Sequence, residues 1–107
     1  IAGFFETYDI MISPVLAGPP LKVGNLSTDL DDIETMMGQL LGYMPFTSVY
    51  NVSGQPAMNV PLYWTPDGLP VGVQFAAKYA NESLLYRLAG QLEQARPWIN
   101  KRPPIYA

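Results

Sequence analysis

Apolar and polar positions alternate with a period of two in one half of the chain and recur at helical spacing elsewhere. Met58, Val60 and Leu62 fall on one side of a strand. On the return strand Val71, Val73 and Phe75 alternate with Gly72, Gln74 and Ala76. Between them Thr65-Pro66-Asp67-Gly68 predicts a tight turn, because Pro66 fixes φ and Gly68 is free to take a positive one. Pro61 has no N–H to give to a ladder, so its strand is expected at a sheet edge or bulged at that residue. Tyr8–Ser13, an apolar run stopped by Pro14, predicts a short strand buried on both faces. Leu16 to Asn25 contains Gly18, Pro19, Pro20 and Gly24 and predicts a loop.

Three segments carry helical signals. Leu30, Ile33, Met36, Met37, Leu40 and Leu41 predict a helix over Asp29–Leu41, with Thr28 as its cap and Gly42 as its stop. Asp29, Asp31 and Asp32 lie in its first turn, where the helix dipole favours negative charge. That position makes the acidic cluster a solvated helix start, and no metal site is expected there. Pro45 to Ser53 predicts a second, shorter helix, with Gly54 as the left-handed residue that ends it. Asn81 opens a third, whose stripe is Leu84, Leu85, Leu88 and Leu92 and whose end precedes Pro97. Strands interleaved with helices give an α/β class, with about three strands and three helices.

Composition changes this picture in one respect. The 107 residues are 49% apolar and only 14% charged, against about 25% charged in ordinary soluble domains. Such an excess is expected where part of the surface is normally covered by other polypeptide. The net charge of −3, with the few Lys and Arg scattered, gives no footprint for nucleic acid. No apolar run approaches the roughly 20 residues that a membrane helix needs. The start Ile1-Ala-Gly-Phe-Phe-Glu6 has neither an initiator Met nor a basic leader, and reads as the interior of a longer polypeptide.

Catalytic chemistry is hard to assemble from these residues. The chain has no cysteine and no histidine, which removes the thiolate nucleophile, the usual general base and the commonest transition-metal ligands. Hydroxyl nucleophiles remain at Ser13, Ser27, Ser48, Ser53 and Ser83, and the bases left to activate them are Lys22, Lys78 and Lys101. None of these serines lies in a glycine-flanked turn that would present both the oxygen and backbone N–H donors for an oxyanion. Ser53-Gly54 comes nearest, and helix termination explains it. No glycine cluster has the pattern that cradles phosphates, and no cofactor is expected.

The order of several motifs is more telling than any one of them. Tyr8-Asp-Ile-Met-Ile-Ser-Pro14, then Gly18-Pro-Pro20, then Pro45-Phe-Thr47, Asn51, Gly54, Pro56-Ala57 and Val60-Pro61 follow in sequence. Gly68-Leu-Pro-Val-Gly-Val-Gln74, Glu82, Leu84-Leu85, Leu92-Glu93 and Trp98 complete the set. This succession resembles the carboxyl-terminal segment of the amidase signature family, across nearly the whole chain. Ser53-Gly-Gln-Pro-Ala-Met58 and Ala95-Arg-Pro-Trp98 are most similar to general amidases that hydrolyse linear and cyclic amides.

The resemblance implies a fold, a chemistry and a division of labour. The strands would belong to a mixed sheet with flanking helices, and residues 1–107 would be part of an amidase domain whose upstream part is their partner. The family's Ser–Ser–Lys machinery and glycine-rich oxyanion hole would lie upstream, so no catalytic residue carries over. Tyr43, Phe46 and Tyr50 would approach the cleft for a small amide substrate, with core packing as the plainer role for these aromatics. Asn51, Gly54, Pro56, Gly68, Gly72 and Gln74 would be structural, and a buried Gln74 would need hydrogen-bond partners. The resemblance also implies a cytoplasmic protein that touches neither membrane nor nucleic acid directly. A segment of a tRNA-dependent amidotransferase subunit, or a non-catalytic scaffold, is the alternative. The chain alone is expected to be marginally stable or to self-associate through uncovered apolar surface.

Overall fold

The computed structural model describes residues 1–26 and 30–103. Three strands, β1 (Ile10–Pro14), β2 (Ala57–Trp64) and β3 (Pro70–Ala77), form one sheet in the order β1-β3-β2 with both pairings antiparallel. Three helices, α1 (Ile33–Tyr43), α2 (Ser48–Ser53) and α3 (Glu82–Ala95), complete the expected α/β inventory. None is long and apolar enough to cross a membrane among the described residues.

The β2–β3 hairpin follows the expected pattern. Gly68 has φ +82°, and its N–H donates to Thr65 O at 2.9 Å, closing the turn. The Thr65 hydroxyl oxygen also accepts from Leu69 N at 3.0 Å. Pro61 lies on an edge strand, and the register slips between it and Tyr63, so the strand is bulged at Leu62 as well. Alternation then sorts the side chains. Val60, Phe75 and Ala77 are buried against Leu85, with Ile10, Met58, Val73 and the α3 residues Leu84, Leu88 and Leu92 around them. The helix stripe that the sequence predicts therefore covers one face of the sheet. Asn81 stands before α3, but its side chain accepts from Ser83 Oγ at 3.3 Å and makes no bond to the helix backbone.

The other face is covered from the amino end. Ala2–Glu6 forms a 3-10 turn that places Phe5 against Tyr50 of α2 and Ala76 of β3, with Phe4 and Met11 beside them. Phe4 meets Phe5 edge-on at 5.3 Å and stacks on Tyr8 at 4.7 Å. The sequence reading assigned no element to this segment.

Four expectations need correcting. The first strand begins at Ile10 and is not buried on both faces: it sits at the edge of the sheet beside β3, with Ile12 65% exposed. Its free edge has no paired strand among the described residues. The first helix runs from Ile33, after a 3-10 turn at Leu30–Asp32, and Asp32 caps it by accepting from Thr35 N at 3.1 Å. The hydroxyl and the backbone N–H of Thr35 together hold the Asp32 carboxyl below its ordinary pKa. Thr28 and Asp29 lie outside the described residues. Gly42 does not stop the helix, which continues to Tyr43 and ends at Met44, the residue that Pro45 bars from helical geometry. Pro45 itself lies in a turn, and the second helix begins only at Ser48, although it ends as expected at Gly54 with φ +74°.

The core is small for the chain. Seven hydrophobic residues are buried, while fifteen large ones are exposed among the described residues. No residue of α1 is buried, and Ile33, Met37 and Leu41 line one open stripe on it. The accessible surface is 7961 Å², against roughly 5,900 Å² for a compact monomer of this mass. The radius of gyration is 16.3 Å, where a compact domain of about 100 residues has about 13 Å.

Two outcomes are expected. Gly68→Val, which forces a β-branched residue to positive φ, should lower stability by about 1 kcal/mol or more, read as a fall in melting temperature. An unchanged melt would contradict the turn assignment. In sedimentation, the weight-average mass of the isolated chain should rise with concentration, because exposed apolar surface of this extent associates. A monomer mass independent of concentration is the contrary result.

Candidate active-site cleft

A cleft of roughly 440 Å³ opens at one end of the sheet, between the loop that follows β1 and the ends of β2 and β3. Pro14 to Pro19 form one wall, and Asn59, Tyr63, Thr65, Pro70, Val71 and Gly72 form the other. Apolar groups dominate and no charged side chain lines it, as in cavities that hold neutral small molecules.

The loop wall is tied down by Tyr43. Its carbonyl accepts from Ala17 N at 2.9 Å, and its hydroxyl donates to Pro19 O at 2.9 Å. The last turn of α1 thus fixes the Pro-rich loop from behind. Phe46 is half-buried in the turn before α2. Tyr50 is buried in the core, and its hydroxyl reaches Met11 Sδ at 3.5 Å. The three aromatics that the sequence singles out are therefore placed differently, with Tyr43 behind the cleft wall and Tyr50 packed against β1 and β3.

Asn51 is exposed on α2. Gly54 takes its left-handed conformation with its N–H bonded to Tyr50 O, and Pro56 O accepts from Ala77 N at 3.1 Å. Gln74 is 6% exposed, and its Oε1 has no hydrogen-bond partner among the described residues. The same holds for Oγ of Ser13, its register partner on β1, and for Gln55 Oε1. An unsatisfied buried acceptor costs about 1–3 kcal/mol, so this face of the sheet is incomplete in hydrogen bonding.

Gly72 has a specific steric reason. A Cβ placed on it would run into the carboxamide of Asn59, which lies diagonally across the β2–β3 pair. Asn59, Gln74 and Ser13 are register partners across all three strands, so they form a polar row on the face opposite α3. The sequence reading passed over Asn59. The available signal was a carboxamide within an otherwise apolar strand, two residues from the Gly-containing motif's partner position.

Catalytic groups are dispersed. Ser53 Oγ donates to Val49 O at 2.6 Å and Ser83 Oγ to Asn81 Oδ1, both local contacts within their helices' turns. Lys101 Nζ lies 5.5 Å over the Trp64 ring. Among the described residues no serine is hydrogen-bonded to a lysine, and no group of His, Cys, Asp or Glu is arranged to hold a metal ion.

The sequence model of the family described as Amidase matches residues 1–86. The chain belongs to the amidase family. AmiC of Mycobacterium leprae (strain TN) is 41% identical over 97 residues, which is 91% of this chain and 20% of that protein. The 6-aminohexanoate-cyclic-dimer hydrolase of Pseudomonas sp. (strain NK87) is 39% identical over 103 residues, 92% of this chain and 21% of the hydrolase. A solved structure of 6-aminohexanoate cyclic dimer hydrolase superposes with a TM-score of 0.82 at 37% identity, covering 96% of this chain and 23% of that one. The chain spans about a fifth of the length of these relatives. The fold of this chain is thus shared with part of that hydrolase over 96% of its residues.

Gly72→Ala should cost about 1 kcal/mol or less, since the exposed Asn59 carboxamide, the far end of a flexible side chain, can swing away from the added methyl. In an Asn59→Ala background the same substitution should cost less, a non-additivity read in a double-mutant cycle by chemical denaturation. Additive effects would contradict the packing described for this pair.

Proposed function

We propose that this chain is the carboxyl-terminal portion of an amidase that hydrolyses carboxamide C–N bonds, with the serine nucleophile and its activating groups supplied by upstream polypeptide. The observation that carries this reading is the match to an amide hydrolase over 96% of the chain but only 23% of the enzyme. The uncovered stripe of α1, the excess accessible surface and the orphaned acceptors Ser13 Oγ and Gln74 Oε1 all support a chain that is completed by further polypeptide.

An amide resists hydrolysis because its nitrogen is a poor leaving group. Cleavage needs an activated nucleophile, donors that stabilise the tetrahedral oxyanion, and a proton for the departing nitrogen. By family resemblance these come from a lysine, two serines and glycine-rich backbone outside this chain. The role left for these residues is to shape one side of the substrate cleft. Tyr43 braces that side by holding the Pro14–Pro19 loop in place. Tyr50 anchors α2 to the sheet and so sets where the 43–46 turn stands. An apolar wall of this kind favours neutral linear or cyclic amides over charged ones.

Assay of the purified chain and of the whole amidase against a panel of linear and cyclic carboxamides tests this directly. The chain alone should show no turnover, and the whole protein should release amine from at least one amide. Turnover by the isolated chain would overturn the assignment of the nucleophile, and a whole protein inert to every amide would overturn the hydrolase reading.

A further inference from the structure

The position of Asn59 carries one step more. Its carboxamide is packed against β3 in the space left by the missing side chain of Gly72. It lines the cleft, and it makes no hydrogen bond among the described residues. Asn59 is exposed on β2, so the outer edge of its carboxamide is open to a ligand in the cleft. Its free edge offers an acceptor oxygen beside donor N–H groups.

The rest of the cleft narrows the ligand. Val15, Leu16 and Val71 supply apolar wall, and no cation or anion is present to neutralise a charged group. The Thr65 oxygen is already engaged by Leu69 N. A volume of roughly 440 Å³ suits a small molecule. The group that complements a carboxamide at two points is another carboxamide, donating N–H to Oδ1 while its carbonyl accepts from Nδ2.

We propose that Asn59, lying beside Gly72, is a specificity-determining residue that reads the carboxamide of a small neutral amide bound in this cleft. This rests on the amidase reading for the class of ligand, and it adds a recognition residue that the family match does not assign. A ketone of the same shape keeps the carbonyl but lacks the N–H, so Asn59 Oδ1 would be left without its donor.

The test uses isobutyramide and its isostere isopropyl methyl ketone with the nitrogen-15-labelled chain. Isobutyramide should shift the Asn59 side-chain and Gly72 backbone resonances saturably, and the ketone should bind roughly tenfold more weakly. Asn59→Leu should abolish the preference while leaving the remaining spectrum in place. Equal response to the two ligands, no saturable response, or shifts confined to other residues would overturn the proposal. Where Asn59→Leu does not fold, the ligand pair on the wild-type chain decides. Should the isolated chain give a collapsed spectrum, inhibition of the whole amidase by the same pair decides, with an equal effect of both counting against.

In the whole amidase, Asn59→Leu should raise KM for a neutral amide by roughly tenfold, and more than it lowers kcat. An unchanged KM would show that upstream polypeptide fills the cleft and would also overturn the proposal. Failure of the wild-type whole protein to cleave any amide is a separate result, since it removes the hydrolase reading and leaves the isobutyramide titration to judge Asn59.

Discussion

Ala76 and Ala77 are the two residues with no exposed surface among the described residues, and they point to opposite faces of β3. A methyl group is all that each face allows there. On one side Leu85 of α3 closes on Ala77, and on the other Phe5 and Tyr50 close on Ala76. A larger residue at either position would push its cover off the strand, in a core too small to absorb the shift. The hairpin, α3, the amino-terminal turn and α2 are all placed by their contact with this one strand. The cleft inherits its geometry from the same arrangement, since Gly72 and Val71 lie at the far end of β3.

What was legible in the sequence is what local physics decides. The Pro66-Asp67-Gly68 turn, the left-handed Gly54, the α3 stripe and the irregularity at Pro61 each depend on a few neighbouring residues, and each stands in the structure. The errors lie where distant residues decide. An apolar run such as Tyr8–Ser13 has the composition of a central strand, and only the pairing of β1 with β3 shows that its other side is open. Gly42 carries the signal of a helix stop, yet its modest cost inside a helix is outweighed by the better stop that Pro45 supplies. The turn that buries Phe5 has no periodicity to announce it, being held by contacts with α2 and β3.

The site was legible in the same uneven way. Tyr43 was singled out because the resemblance brings its segment towards the cleft, but its two bonds to the Pro-rich loop span more than twenty residues and no spacing rule reveals them. Asn59 and Gly72 are thirteen positions apart, and their mutual fit appears only when the hairpin register sets them on a diagonal. Gln74 was expected to need partners if buried. It is buried, and the absence of a partner for its oxygen among the described residues makes the sheet's second face the less finished one.

The two margins of the sheet differ in a way that bears on assembly. β2 carries Pro61, which has no N–H to offer, and the bulge after it breaks the two-residue repeat that an incoming strand would have to match. β1 has no such guard between Ile10 and Ser13, and its exposed Ile12 gives a newcomer something to pack against. Strand addition therefore meets a closed margin at β2 and an open one at β1. The molecule has a growing side and a finished side, and polypeptide that extends this sheet in register, whether its own or a neighbour's, is directed to the first.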